Sequence, residues 1–417
     1  MTHRALEMAG VIADRLADPG NLPAVSTTHP QWRQSLAHGA PGIALLHIER
    51  AAAGLGAWQR VHDWLRFTTS APITSGPDSY LHYGAPAVAH ALASAARARP
   101  GTYTRALVGL DQIVAADATR RVAAAHARID RGDCGALAEF DAIRGLAGLG
   151  AHLLRRDPDG PALLKVLSYL VRLTEPLERD GTLLPGWWAA SGPSGRADDR
   201  FAGGHANNGM AHGIGGPLAL LALALMHGVK VDGQLEAIDR VLCWLDRWRA
   251  GTRWPYWVIR DELDSGRAAA PNAQRPSWCY GSAGLARAQQ LAAHAVGDPA
   301  RQREAETALI KALSDPAALA ATTDVSLCHG YAGLAHIAHR AAADAMPSTA
   351  SQLRTVALTL LDAVSPVGAD PAQQTTTVLD AAGPAFLEGA AGTALAVITP
   401  ASGTAPLSGW DACLLIA

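Results

Sequence analysis

The sequence predicts an all-α protein, an α/α toroid in which seven inner helices alternate with seven outer ones. Three observations lead there. A short phrase, Gly-x-x-Gly followed by Leu and Ala, returns along the chain. The segments after it are apolar on nearly every side, and the segments between carry a single apolar stripe. Composition agrees: 49% of the 417 residues are hydrophobic but only 5% aromatic, and the Ala, Leu and Arg that dominate favour helix. One domain over residues 1–417 is the expected organisation.

The repeat begins with His38-Gly39-Ala40-Pro41-Gly42 and has a worn second copy at Gly84-Ala85-Pro86-Ala87. It returns at Gly145-Leu146-Ala147-Gly148, Gly213-Ile214-Gly215-Gly216, Gly281-Ser282-Ala283-Gly284, Gly330-Tyr331-Ala332-Gly333 and Gly389-Ala390-Ala391-Gly392. The first glycines lie 45 to 68 residues apart, as in a chain of repeated units. Gly213 to Met226 has no polar face, so it reads as an inner helix. From Leu235 to Trp248 the apolar Leu235, Ile238, Val241, Leu242, Leu245 and Trp248 recur at helical spacing among charges, marking an outer helix. Glycines let backbones approach closely where the inner helices crowd. The residues just before each inner helix then converge on one end of the ring.

Between these pairs, Thr68 to Tyr80 and Arg99 to Tyr103 carry Pro and Gly and read as loops, and Asp157 to Gly160 as a turn. Two longer loops, Asp180 to His205 and Ala250 to Ser277 (with Pro271), are placed to line a binding site. Ala401 to Trp410 is a further loop, and the apolar tail Ala412 to Ala417 is expected to close against the first repeat.

A net charge of −2, from 35 basic and 37 acidic residues, argues against nucleic acid as a partner. The longest apolar run, Pro217 to Met226, is too short to span a bilayer, so an integral membrane protein is not expected. The N-terminus lacks the apolar core of a secretory signal. Five cysteines in so long a chain suggest no disulfide framework, and the cytoplasm is the expected compartment. No phosphate-binding loop, dinucleotide fingerprint or Gly-x-Ser-x-Gly elbow is present.

Chemistry gathers just ahead of the repeat glycines. Cys279 precedes Gly281, and Cys328 with His329 precedes Gly330, so matched places in two units supply two sulfurs and an imidazole. Zinc takes such donors, and three of them leave one position open for a reactant. An adjacent Cys-His pair reaches one ion only if the backbone turns there. His212, before Gly213, is either a fourth ligand or an acid/base group. Asp141, four residues before Gly145, is either a carboxylate at the same end or a helix cap. Arg275 and Tyr280 flank Cys279; each is a candidate for anion stabilisation or hydroxyl chemistry, or a rim residue that only packs or pairs.

Together the stretches Gly204–Ile214, Trp278–Gly284, Cys328–Gly333 and Phe386–Gly392 resemble the lanthionine synthetase C-like proteins, the lanthipeptide cyclases and their eukaryotic relatives. The resemblance runs from about Ser35 to Ala417, is weakest at 70–133, and is nearest to stand-alone bacterial cyclases. It implies a zinc ion held by Cys279, Cys328 and His329, with His212 and Asp141 handling protons and Arg275 and Tyr280 in support. The implied reaction adds a peptide cysteine thiol to dehydroalanine or dehydrobutyrine, giving lanthionine or methyllanthionine. The implied partners are a dehydrated precursor peptide, a separate dehydratase and an exporter, with the chain resting peripherally against a membrane-bound complex. A relative that adds glutathione to dehydrated residues, or a peptide-binding scaffold without catalysis, are the competing readings.

Overall fold

A computed structural model describes residues 2–21, 32–179, 181–268 and 274–417. Asp180 and Pro271, which belong to the two long loops expected above, lie outside the described residues. The chain divides into two compact units, Met1–Ile113 with Thr322–Ala412, and Val114–Ala321 with Cys413–Ala417.

In the first unit four helices follow repeat glycines: Ala40–Ala52, Ala85–Ala98, Tyr331–Asp344 and Ala390–Ser402. They are buried along most of their length because Ala and Gly leave no bulk to keep the axes apart. Amphipathic helices cover them: Trp58–Thr68 packs on Ala40–Ala52, Pro347–Val364 on Tyr331–Asp344, and Thr2–Arg15 on Ala390–Ser402. Each Leu, Ile or Trp these covers bury contributes roughly 1.5–3 kcal/mol. Trp64 is one such anchor, wholly buried, its indole N–H donating to the Leu16 carbonyl at 2.9 Å.

The first repeat also grips the segment that precedes the tail. Glu49, buried in Ala40–Ala52, accepts from the Leu407 and Ser408 backbone N–H groups at 2.8 and 2.9 Å and from the Ser408 hydroxyl. Trp410 then stacks on His336 (4.8 Å between ring centres), meets Phe386 edge-on, and its carbonyl accepts from His90 Nε2 at 2.9 Å. Asp411 is buried beside it. Burial pushes its carboxyl up, yet the Arg340 guanidinium at 3.2 Å and His336 at 3.0 Å outweigh that and hold it down at about 2.

In the second unit the helices after repeat glycines are Leu146–Arg156, Gly215–Met226 and Ser282–Val296. Pro161–Leu173, Gln234–Arg247 and Pro299–Ser314 cover them. Gly215–Met226 is buried from Gly215 through Ala224, as its uniformly apolar sequence requires. The end of the tail sits in this unit: the Leu414 carbonyl accepts from Trp278 Nε1 at 2.9 Å, and the Ile416 carbonyl from Nε and Nη2 of the buried Arg287. The segment after Ala98 continues as a 27-residue helix, Thr104–Asp130.

Both long loops hold structure that the sequence reading did not specify. Leu177–Arg179 and Thr182–Leu184 form an antiparallel hairpin. His205–Asn207 pairs antiparallel with Trp257–Ile259, and Arg260–Ser265 is a short helix. Strands of three residues are too short to display an alternating pattern, and a partner some fifty residues away has no local signal. Ala390–Ser402 likewise runs past Ala401, where a loop is expected.

Candidate active site

The segment before each of several repeat glycines folds into one recurrent turn. Four residues ahead of the glycine stands Ser35, Asp141, Ser277 or Ser326. Its side-chain oxygen accepts the backbone N–H of the residue just before the glycine: His38 at 3.0 Å, Arg144 at 2.6 Å, Tyr280 at 3.2 Å and His329 at 3.3 Å. At Asp141, Ser277 and Ser326 the carbonyl also accepts the N–H of the second glycine, Gly148, Gly284 and Gly333. The second glycine is required by close approach: a Cβ on Gly333 would lie 1.9 Å from the Leu327 carbonyl oxygen. The cysteines and histidines sit in this turn, between the capping residue and the first glycine.

In the second unit Asp141 serves two partners. Its Oδ1 caps the turn, accepting from Arg144 and Gly145 N–H at 2.6 and 2.8 Å. Its Oδ2 lies 2.7 Å from His212 Nδ1. A carboxylate only accepts, so Nδ1 carries the proton and Nε2 is left as the working nitrogen. Asp141 is buried while the His212 side chain is a third exposed. One oxygen of Asp141 therefore caps the turn, and the other meets the imidazole. The segment bearing His212 is pinned from both sides: Ala142 N–H donates to the Ala211 carbonyl at 3.0 Å, and Ala211 N–H to the Cys279 carbonyl at 3.2 Å.

Tyr280 lies beside this pair, its ring centre 6.1 Å from that of His212 and its hydroxyl 3.3 Å from Asn207 Nδ2. Tyr256 and Trp257 complete an aromatic wall, 5.7 and 6.1 Å from the Tyr280 ring. The Tyr256 hydroxyl donates to the Arg275 carbonyl at 3.2 Å. Burial pushes this phenol up to about 12; the Arg275 guanidinium pulls against that, and Cys279 adds to it. Among the described residues, the Arg275 guanidinium makes no hydrogen bond or ion pair. Cys279 is buried, its Sγ 3.6 Å from the Ser277 hydroxyl.

In the first unit Cys328 is buried and its N–H donates to the Leu387 carbonyl at 2.8 Å. His329 follows, with Nδ1 2.8 Å from Asp324 Oδ2 and 3.2 Å from the Ser326 hydroxyl. Burial pushes the Asp324 carboxyl up, but hydrogen bonds from His329 and Ser326 prevail and hold it well below the usual carboxylate range. A carboxylate on Nδ1 is the partner found behind a metal-binding imidazole. Nε2 faces Glu388 Oε1 at 3.4 Å, and His329 draws that carboxyl downward.

Among the described residues, no three His, Cys, Asp or Glu side chains are gathered closely enough to hold a metal ion. The sequence pattern assigns no role to Asp324, Ser277, Ser326, Tyr256 or Glu388. The serines had a signal in their shared spacing from the glycine. Asp324 had none, because only the turn brings it to the far side of His329.

A model of the family described as lanthionine synthetase C-like protein matches residues 30–415. The chain belongs to the lanthionine synthetase C-like proteins. Among curated relatives it resembles the nisin biosynthesis protein NisC of Lactococcus lactis subsp. lactis, at 25% identity over 206 residues. That alignment covers 48% of this chain and 48% of the relative, so the chain spans about half the length of the curated protein it matches. Among solved structures, nisin cyclase superposes with a TM-score of 0.74 at 20% identity, covering 94% of each chain. This likeness shows the fold of this family member, the α/α toroid anticipated from the repeats. No helix among the described residues is long and apolar enough to cross a membrane.

Proposed function

We propose that this chain is a zinc-dependent lanthipeptide cyclase, closing thioether rings in a dehydrated precursor peptide supplied by a separate dehydratase. The observation that carries the reading is the Asp141–His212 pair beside Tyr280 (2.7 Å between Oδ2 and Nδ1) in a chain of this family. The names of its relatives, a nisin biosynthesis protein and a nisin cyclase, support a peptide substrate.

Two thiols and an imidazole are donor types that zinc takes. Cys279 and Cys328 are buried cysteines outside any disulfide, at the same place in two copies of one turn. His329 has its Nδ1 engaged by Asp324, as a ligand histidine does with a carboxylate behind it, and would turn Nε2 to the metal. Cys279, Cys328 and His329 would hold the ion. Zinc bound by such ligands lowers the pKa of a thiol that reaches it, which makes a peptide cysteine nucleophilic at neutral pH.

The protein's own groups then manage the proton and the developing charge. The cysteine sulfur bonds to the β-carbon of dehydroalanine or dehydrobutyrine, and the double-bond electrons move to the α-carbon and its carbonyl oxygen. Arg275 stabilises that enolate oxygen. His212 Nε2 takes up the proton the thiol releases and delivers it to the α-carbon, while Asp141 fixes the ring's orientation and steadies its charged form. Tyr280 supplies a further hydroxyl beside the histidine. The thiol proton is lost and one proton is gained at carbon, so the peptide's mass does not change.

Because addition is isobaric, alkylation of free thiols reads it out. Incubation with a dehydrated peptide should consume peptide thiols, a chelator should stop this, and added zinc should restore it. Stoichiometric zinc in the purified protein is the companion result. Unchanged thiol counts over many turnover times would end the cyclase reading, and a mass gain equal to glutathione would reassign it to thiol addition from solution.

A further inference from the structure

A groove of about 310 Å³ lies on the second unit, away from the His212 turn in sequence but tied to it by one side chain. Its walls are Leu183 and Leu184 of the hairpin, Trp187, Trp244 of Gln234–Arg247, and Leu263. Leu183 is 65% exposed and adds to the apolar wall. Trp187 meets Trp244 edge-on at 5.4 Å, and the buried Trp187 indole N–H has no acceptor among the described residues.

Among the described residues, the charged groups lining the groove are two arginines, Arg240 and Arg247, and no carboxylate lines it. Arg240 donates from Nε to the Thr174 hydroxyl, and the Arg247 guanidinium lies over the Trp248 ring at 5.4 Å. Among the described residues neither guanidinium has a carboxylate partner. On the same helix Asp246 pairs with Arg301, while Asp239 lies 3.8 Å from the thiol of Cys243 at the groove's edge. Apolar walls with unpaired guanidinium groups complement a segment that alternates apolar and acidic side chains.

The groove communicates with the candidate active site through Asn208. Trp244 Nε1 donates to Asn208 Oδ1 at 2.9 Å, Asn208 Nδ2 donates to the Pro255 carbonyl at 2.9 Å, and Asn208 N–H to the Tyr256 carbonyl at 2.9 Å. Asn208 is buried and stands four residues before His212. One side chain therefore joins the floor of the groove to the backbone that carries Tyr256 and His212.

We propose that this groove docks an acidic, apolar stretch of the peptide substrate, outside the residues that react. The proposal rests on the cyclase reading for the identity of its occupant, but binding at the groove needs no chemistry. Cys243 lines the groove and is exposed, so it reports occupancy directly. The probe is the acetylated and amidated hexapeptide Leu-Glu-Leu-Glu-Leu-Glu, which has neither cysteine nor dehydrated residues, with its Leu-Lys counterpart as control. The full chain is treated with N-ethylmaleimide, and modification of Cys243 is followed by mass spectrometry.

The acidic peptide should slow Cys243 alkylation about fivefold or more, and the basic one should not. The exchange of two arginine contacts for repulsion in Arg240→Glu with Arg247→Glu should shift binding by about tenfold or more and favour the basic peptide. Leu183→Asp, at an exposed position, should weaken the acidic peptide without changing the unfolding midpoint, which covers the case that the arginine variant does not fold. Equal protection by both peptides, or binding that leaves Cys243 alkylation unchanged, overturns the proposal. Neither result bears on thiol consumption from a dehydrated peptide, which tests the cyclase reading separately.

Discussion

Asp141 and His212, 71 residues apart, share one short contact: Oδ2 of the first lies 2.7 Å from Nδ1 of the second. The other oxygen of the same carboxylate caps the turn that begins Leu146–Arg156. Structure and proposed proton chemistry thus draw on one side chain, and substitutions there separate the two.

Asp141→Asn keeps an oxygen for the cap but loses the carboxylate that orients the imidazole. Thiol consumption should fall about a hundredfold or more, by analogy with other carboxylate-oriented histidines, with the urea midpoint little changed. Asp141→Ala should lose as much activity and, in addition, about 1 kcal/mol of stability from the missing cap. Equal stability in the two variants would show that the cap contributes nothing.

Asp324 is expected to act through His329. Asp324→Asn should weaken zinc binding about ten- to a hundredfold, the usual effect of removing a carboxylate behind a ligand histidine. Competition with a chromophoric chelator measures this without any substrate. An unchanged affinity would detach Asp324 from the metal.

Buried histidines should make the protein acid-labile. Burial holds His47 down at about 4, with Arg60 and Arg50 adding to it against the Leu16 hydrogen bond and Asp14; burial alone brings His205 to about 4 against one backbone hydrogen bond. In the unfolded chain both return to 6.5. Between these values only the unfolded chain takes up the proton, so stability is full above pH 6.5 and is lost as pH falls toward 4. For His47 the loss approaches about 3 kcal/mol. Urea midpoints at pH 7 and pH 4.5 should differ less in His47→Gln, which keeps a donor for the Leu16 carbonyl but cannot titrate.

Two glycines should respond oppositely to alanine. On Gly333 a Cβ would strike the Leu327 carbonyl oxygen at 1.9 Å, a backbone atom that cannot swing aside. Gly333→Ala should cost about 3 kcal/mol or prevent folding. Gly109, exposed in Thr104–Asp130, has nothing within 4 Å of the same position. Gly109→Ala should gain up to about 1 kcal/mol. Thermal unfolding of the two variants checks both signs.

The sequence by itself determined the helical class and most of the helix pairs, because periodicity and small-residue runs are local properties. Gly215–Met226 and Gln234–Arg247 fall within two residues of the expected bounds. It also marked His212, Asp141, Cys279, Cys328 and His329, since each stands at a fixed distance from a repeated glycine. Only the tertiary structure decided which atoms meet. The contact of Asp141 with His212, of Asp324 with His329, and of Asn208 with Trp244 each depends on turns and pairings between distant segments. The strands His205–Asn207 and Trp257–Ile259 are of the same kind. A spacing records where a side chain starts along the chain; the partner it finds is set by how whole helices and turns pack, and packing has no local code.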